Sequence, residues 1–171
     1  MLYLGSDHNG VYLKKKIGEF LSAEKIEFED LGANEVNITD DYPDIAQKVS
    51  QKVLENEENR GILFCKSGQG VCIASNRFTN IRAAQAFNEE MTEAGRNDDN
   101  LNILCLSSHW QNIKQSKKII KKFLETKFDQ QEKFIRRIEK LEIDFNLSMG
   151  VNKITKKINT FPPPRRGSVC D

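Results

Sequence analysis

Residues Arg60 to Arg77 read R-G-I-L-F-C-K-S-G-Q-G-V-C-I-A-S-N-R. The run Gly61-Ile62-Leu63-Phe64 is apolar and short, as a buried strand is, and Cys65 stands at its end. Lys66, Ser67, Gly68, Gln69 and Gly70 follow, then a helical pattern through Val71, Ile73 and Ala74. A strand feeding a glycine-rich turn that opens a helix makes an anion cradle. The glycines let the backbone approach a ligand, free N–H groups point at it, and the helix dipole favours negative charge. Here a thiol stands at the mouth of that cradle, and a helix N-terminus favours its thiolate. Such an arrangement suits removal of a proton and stabilisation of the oxyanion left behind. The plainer reading is a buried cysteine at a strand end, beside an ordinary turn.

The chain alternates in the same way on either side. Met1 to Leu4 is an apolar strand ending in Gly5-Ser6-Asp7-His8. Val11, Leu13, Ile17, Phe20 and Leu21 recur at helical spacing, with Lys14, Lys15 and Lys16 expected on the wet side. Ile26 to Leu31 alternates as a second strand, and Gly32 to Asp40 is a polar loop. Asp41-Tyr42-Pro43-Asp44 opens a helix with Ile45, Ala46, Val49, Val53 and Leu54 on its apolar face. Helix three is expected from Gly68 to Asn76, strand four from Arg82 to Phe87, and helix four from Asn88 to Gly95. Strand five spans Asn102 to Leu106 and helix five Trp110 to Lys127. A highly charged last helix runs from Asp129 to Phe145. Such alternation predicts an α/β fold: a Rossmann-like three-layer sandwich, a five-stranded parallel sheet with helices on both faces. Ligands of such sheets bind at the carboxyl ends of the strands, where the motifs are expected to fall.

With 171 residues, the chain has room for one domain and a tail. The expected division is a domain over 1–145 and an extension over 146–171. Basic residues number 26 and acidic ones 25, a net charge of +1, so no global field attracts nucleic acid or a membrane. Cys65, Cys72, Cys105 and Cys170 lack C-x-x-C pairing and read as reduced thiols of a cytoplasmic protein, with no metal. The chain enters a strand at once, so no signal peptide is expected, and no apolar run is long enough to span a membrane. Phe161-Pro162-Pro163-Pro164-Arg165-Arg166-Gly167 cannot be helix or central strand and reads as a tail, with docking on a partner subunit the alternative.

The central stretch, with its Gly-Ile-Leu-x-Cys-x-Ser-Gly-x-Gly and following Ala-x-Asn-Arg, resembles the ribose-5-phosphate isomerase B family, which includes galactose-6-phosphate isomerase subunits. Three more pieces agree in order and spacing: Gly5-Ser6-Asp7-His8-Asn9-Gly10, Asp41-Tyr42-Pro43 and Ile81-Arg82-Ala83-Ala84. The resemblance covers roughly Met1 to Ile143. It implies a metal-independent, cofactor-free aldose–ketose isomerase acting on a phosphorylated sugar through an enediolate. It also implies a homodimer or a dimer of dimers with sites shared between subunits.

Carried onto this sequence, the resemblance makes Cys65 the base, its pKa of about 8.5 lowered by the helix terminus or by Lys66. Lys66 departs from the glycine usual in the family. Ser67 and the amides of Gly68, Gln69 and Gly70 form the oxyanion cradle, where each donor is worth about 3–4 kcal/mol of barrier. The plainer role for Ser67 is a helix cap. His8, Arg137 and Lys133 or Arg136 hold phosphate, lysine standing where the family has a second arginine and offering a point charge in place of a fork. Tyr42 flanks the sugar, or simply packs against a helix start. Asp7 assists ring opening. The family's ring-opening histidine is replaced: Arg96-Asn97-Asp98-Asp99-Asn100-Leu101-Asn102 puts Asp98 in its place, with Asn97 beside it among the substrate-binding candidates. A carboxylate is a poor acid at neutral pH unless its pKa is raised, and the bland alternative is a loop carboxylate ahead of strand five. His109 falls where a phosphate-binding arginine is expected. These departures leave open a hexose 6-phosphate as substrate, or a sugar-phosphate-binding module without turnover. A dinucleotide-binding domain is disfavoured, since strand one is not followed by G-x-G-x-x-G.

Overall fold

In the computed structural model, residues 1–142 are described. Strand β1 (Leu2–Ser6) leads to α1 (Val11–Ala23), β2 (Phe28–Asp30), α2 (Tyr42–Leu54), β3 (Arg60–Cys65) and α3 (Gln69–Ser75). Then come β4 (Ala83–Gln85), α4 (Glu89–Asp99), β5 (Ile103–Ser107), α5 (Ile113–Glu125) and α6 (Glu132–Leu141). The five strands are all parallel, in the order β2-β1-β3-β5-β4. The expected α/β sandwich is therefore present. The 146–171 extension, Cys170 and the end of the predicted last helix lie outside the described residues.

The strands divide two cores by simple alternation. Leu2 and Leu4, Ile62 and Phe64, Leu104 and Leu106 face one way, packing on Leu13, Ile17 and Leu21 of α1 and Ile119, Ile120 and Phe123 of α5. Tyr3, Leu63, Cys65, Ile103 and Cys105 face the other way, against Ile45, Ala46, Val49 and Val53 of α2 and Val71 of α3. All three central strands are buried on both faces, which explains their continuous apolar runs. The order of strands switches between β1 and β3: the chain leaves β1 for one side of the sheet and returns to the other. The carboxyl ends of those two strands flank the crevice that such a switch opens.

Several local expectations change. Lys14 is not on the wet side. It is 2 % exposed, its ammonium paired with Asp30 on β2 and 3.3 Å from the Asn34 side-chain oxygen. Leu54, expected inward, is exposed. Strands two and four keep only Phe28–Asp30 and Ala83–Gln85, because both are edges with a partner on one side. Helix four continues four residues past Gly95 to Asp99, capped at its start by Asn88, whose side-chain oxygen accepts from the Met91 N–H at 2.8 Å. Asp98 thus belongs to the last turn of a helix, not to a loop.

Candidate active site

The end of β1 is pinned to the end of β3: the Asp7 N–H donates to the Phe64 carbonyl at 3.3 Å. The Asp7 carboxylate accepts from the N–H groups of Asn9 (3.0 Å) and Gly10 (3.1 Å), which fixes its position at the start of α1. The end of β5 locks onto the same place. The Ser108 N–H donates to the Cys65 carbonyl at 2.9 Å, and the His109 N–H and the Ser107 hydroxyl donate to the Lys66 carbonyl at 3.2 and 2.7 Å. Three strand ends thus converge on Cys65.

The Cys65 side chain is 6 % exposed and points into the α2/α3 side of the sheet. Its sulfur meets the backbone N–H groups of Gly68 and Ser67 and the Asp7 carboxyl. Burial pushes the thiol pKa up, the Gly68 amide pulls it back, the Asp7 charge raises it again and the Ser67 amide lowers it. The net direction is upward, which corrects the expected depression. Helix α3 has seven residues and a small dipole, and Lys66 points into solvent, so neither outweighs desolvation.

Gly68 makes the turn possible. Its φ of +79° is left-handed, and a Cβ there would lie 2.8 Å from the Gln85 amide nitrogen. That amide donates to the Ser67 carbonyl and so braces the loop from β4. The three cradle amides have different duties. Gly68 serves the thiol, Gln69 donates to the Ser67 hydroxyl at 3.2 Å, and Gly70 has no partner among the described residues. The N-cap of α3 is Gly68, without a side-chain cap, so Ser67 is not the cap residue; from one position earlier its hydroxyl accepts the first helical N–H. The Tyr42 ring lies over Gly70, within about 3.1 Å of where a Cβ would be. His8 and the exposed His109 stand on the rim, the latter edge-on to Trp110 with ring centroids 5.5 Å apart.

Asp7, His8, Tyr42, Cys65, Ser67, Gly68, Gln69, Gly70 and His109 are thus brought to one end of the sheet. Asn97, Asp98, Lys133 and Arg137 are not. Asn97 and Asp98 occupy the final turn of α4, just before β5 begins at Ile103, whereas Cys65 pairs with Ser107 at the far end of β5. Five strand residues separate them, roughly 13 Å of rise. Helix α6 also lies along the amino edge. The Asp129 N–H ahead of it donates to the Asn97 carbonyl at 3.0 Å, and Glu142 after it pairs with Arg82 at 3.0 Å. Lys133 and Arg137 stack their cations on the buried Phe134 ring, at 4.5 and 5.7 Å, with their heads exposed. The motif Ile81-Arg82-Ala83-Ala84 likewise enters β4 and sits at the amino end, contrary to expectation. So one chain does not assemble the whole predicted site. A cavity of about 620 Å³ does open at the amino edge, lined by Arg77, Arg82, Asp99 and Glu142, but it contains no part of the cradle. The candidate site is the cradle, where thiol, amides and carboxylate meet.

Two polar residues of the site escaped the sequence. Gln85 braces the loop, and Asp40 contacts His8; both act through partners distant in the chain, and no spacing announces them. Among the described residues no group of three or more metal-ligating side chains occurs, and no helix is long and apolar enough to cross a membrane.

Comparison with known proteins bears on the family and the fold. Residues 2–141 match the family described as Ribose/Galactose Isomerase. The protein named "Probable ribose-5-phosphate isomerase B" of Mycoplasma genitalium is 40 % identical over 129 residues, 75 % of this chain and 85 % of that one. A crystal structure of ribose-5-phosphate isomerase B from the same organism, with bound ribulose-5-phosphate, superposes with a TM-score of 0.78 at 39 % identity, covering 82 % of this chain and 93 % of that one. A D-erythrulose-4-phosphate isomerase 2 of Mycolicibacterium smegmatis is 29 % identical over 132 residues, 76 % of this chain and 87 % of that one. Fold, cradle and matches over nearly all the described residues lead to one conclusion: the chain belongs to the ribose/galactose isomerase family.

Proposed function

We propose that this protein is a metal-independent isomerase that interconverts ribose 5-phosphate and ribulose 5-phosphate through an enediolate, with Cys65 as the base. The observation that carries this reading is the Cys65 sulfur held between two backbone N–H groups and the Asp7 carboxyl at the β1/β3 switch point. With its pKa pushed up, the thiol needs help to ionise. Asp7 is placed to take its proton, and the Ser67 and Gly68 amides to hold the thiolate. The thiolate removes the C2 proton, the electron pair moves to form the enediolate, and the proton returns at C1. The Gly70 N–H and the Ser67 hydroxyl face the developing oxyanion. His8 receives the phosphate on the rim, and Tyr42 and His109 flank the sugar.

The remaining groups come from a second copy of the chain in this reading. Asn97, Asp98, Lys133 and Arg137 sit together at the opposite end of the sheet, partly or fully exposed, where another subunit's cradle can meet them. Lys133 and Arg137 then complete the phosphate site. Asp98, whose carboxylate accepts from the Asn97 side chain at 2.8 Å, serves ring opening.

The test is turnover of ribose 5-phosphate in deuterated water, with allose 6-phosphate and galactose 6-phosphate as competitors. Isomer formed with solvent deuterium at the transfer position supports the proposal. Binding without exchange would reduce the protein to a sugar-phosphate-binding module. A hexose preferred over the pentose would keep the chemistry and change the substrate, a reading favoured by the departures at Lys66, Asp98, His109 and Lys133.

A further inference from the structure

His8 is held at both ring nitrogens. Nδ1 lies 2.5 Å from Oδ1 of Asp40, and the same oxygen accepts the His8 backbone N–H at 3.2 Å. Nε2 lies 2.7 Å from the side-chain nitrogen of Asn9. Asp40 is 32 residues away along the chain, in the loop ahead of α2, so the contact is tertiary. Both side chains are about three-quarters buried. An ionised carboxylate only accepts, so the proton of this contact is on Nδ1.

We propose that Asp40 is a positioning residue for the phosphate site. It orients the His8 ring, commits Nδ1 as the inward donor and leaves Nε2 as the atom that meets the substrate's phosphate. This rests on the reading of His8 as a phosphate ligand. With Nδ1 engaged behind the ring, the imidazole stands between the Asp40 carboxylate and the incoming phosphate, so the two anions do not meet. In the free protein the Asn9 amide donates to Nε2; a phosphate monoester displaces it in its monoanionic form, whose own acidic proton supplies the hydrogen of the Nε2–phosphate contact. Holding the ring in one orientation before binding removes an ordering cost that would otherwise weaken affinity. The carboxylate–imidazole pair also fixes the tautomer, as outer partners do for histidines elsewhere.

The experiment combines kinetics with ¹⁵N NMR of the imidazole nitrogens, which only two histidines contribute. Wild type is compared with Asp40→Ala, which removes the acceptor, and Asp40→Asn, which keeps an oxygen in place. In wild type the His8 signal is expected to show a protonated Nδ1, and inorganic phosphate is expected to perturb Nε2. Asp40→Ala should redistribute the proton between the two nitrogens. It should also raise both KM for ribose 5-phosphate and Ki for inorganic phosphate by roughly tenfold, the scale of one hydrogen bond to a charged group, with kcat little changed. Asp40→Asn should recover most of the affinity. An unchanged His8 signal in Asp40→Ala, or a fall in kcat at constant KM, overturns the proposal. The NMR comparison needs no turnover, so it decides on Asp40 even if ribose 5-phosphate proves not to be the substrate. A His8 signal indifferent to phosphate removes the phosphate role itself.

Discussion

The two ends of the sheet are built differently. At the carboxyl end, three strands lock into one another through backbone hydrogen bonds, and the candidate thiol is buried among them. At the amino end, the candidate residues stand on helix surfaces, two on the last turn of α4 and two on a single exposed face of α6. The first region is organised by its own chain. The second presents charge to the outside. Chemistry that needs sub-ångström placement belongs on the first kind of scaffold, and charge that only has to arrive belongs on the second.

The sharpest way to break this comparison is Cys65→Ser. The hydroxyl is a far weaker base in the same place, so C2 proton exchange should fall by roughly a thousandfold, within the range for a lost acid/base group, while thermal unfolding barely moves. A variant that keeps most of its rate would move the base elsewhere. The next test asks whether the two ends act on one substrate. Asp98→Asn should slow a cyclising sugar phosphate by about 100-fold and spare an open-chain one; equal rates on both would leave Asp98 without a catalytic role. Mixing subunits carrying Cys65→Ser with subunits carrying Asp98→Asn should then restore about a quarter of wild-type activity, the share of intact sites in a random two-fold dimer. No recovery would place both residues in the same subunit's site. Arg137→Ala should raise KM roughly tenfold or more, as loss of a charge-assisted contact to phosphate does, with kcat less affected, and Lys133→Arg should lower it by gaining the fork.

The smallest effect is on stability. Cys105 is wholly buried on β5, and burial beside the Cys72 thiol holds its own thiol well above the usual range. Below the ordinary thiol pKa of about 8.5, both folded and unfolded states keep the proton and its contribution is full. As pH rises further, only the unfolded thiol ionises, so stability falls. Cys105→Ala should flatten that alkaline fall while lowering Tm at neutral pH by a few degrees, about 1–2 kcal/mol of lost packing. An unchanged alkaline slope would assign the effect to Cys65, whose pKa is also raised.

Much of the carboxyl-end region was legible in the sequence, because its signals are local. A strand, a thiol, a turn needing φ > 0 at Gly68 and a helix start follow one another within ten residues. Period-two alternation of apolar residues likewise announced both cores. The pattern failed where the determining partner is distant. Lys14 looked solvated because nothing near it in sequence showed that Asp30 would neutralise it. Asp98 was legible as a candidate, yet its place at the opposite end followed only from α4 running back along the sheet. The thiol's direction of titration was misread because a turn of seven helical residues is visible in the sequence, whereas the desolvation that outweighs it is a property of packing.

One feature of the sheet bears on how the protein survives at high concentration. Both edges are three residues long, Phe28–Asp30 on one side and Ala83–Gln85 on the other, and the first carries the exposed carboxylate of Glu29. A foreign strand docking there would find few backbone groups to pair with and, on β2, a negative charge to oppose. The long apolar strands most prone to cross-β stacking, β3 and β5, are paired on both sides within the sheet. Among the described residues, therefore, no long strand edge is open as a template for amyloid-like growth.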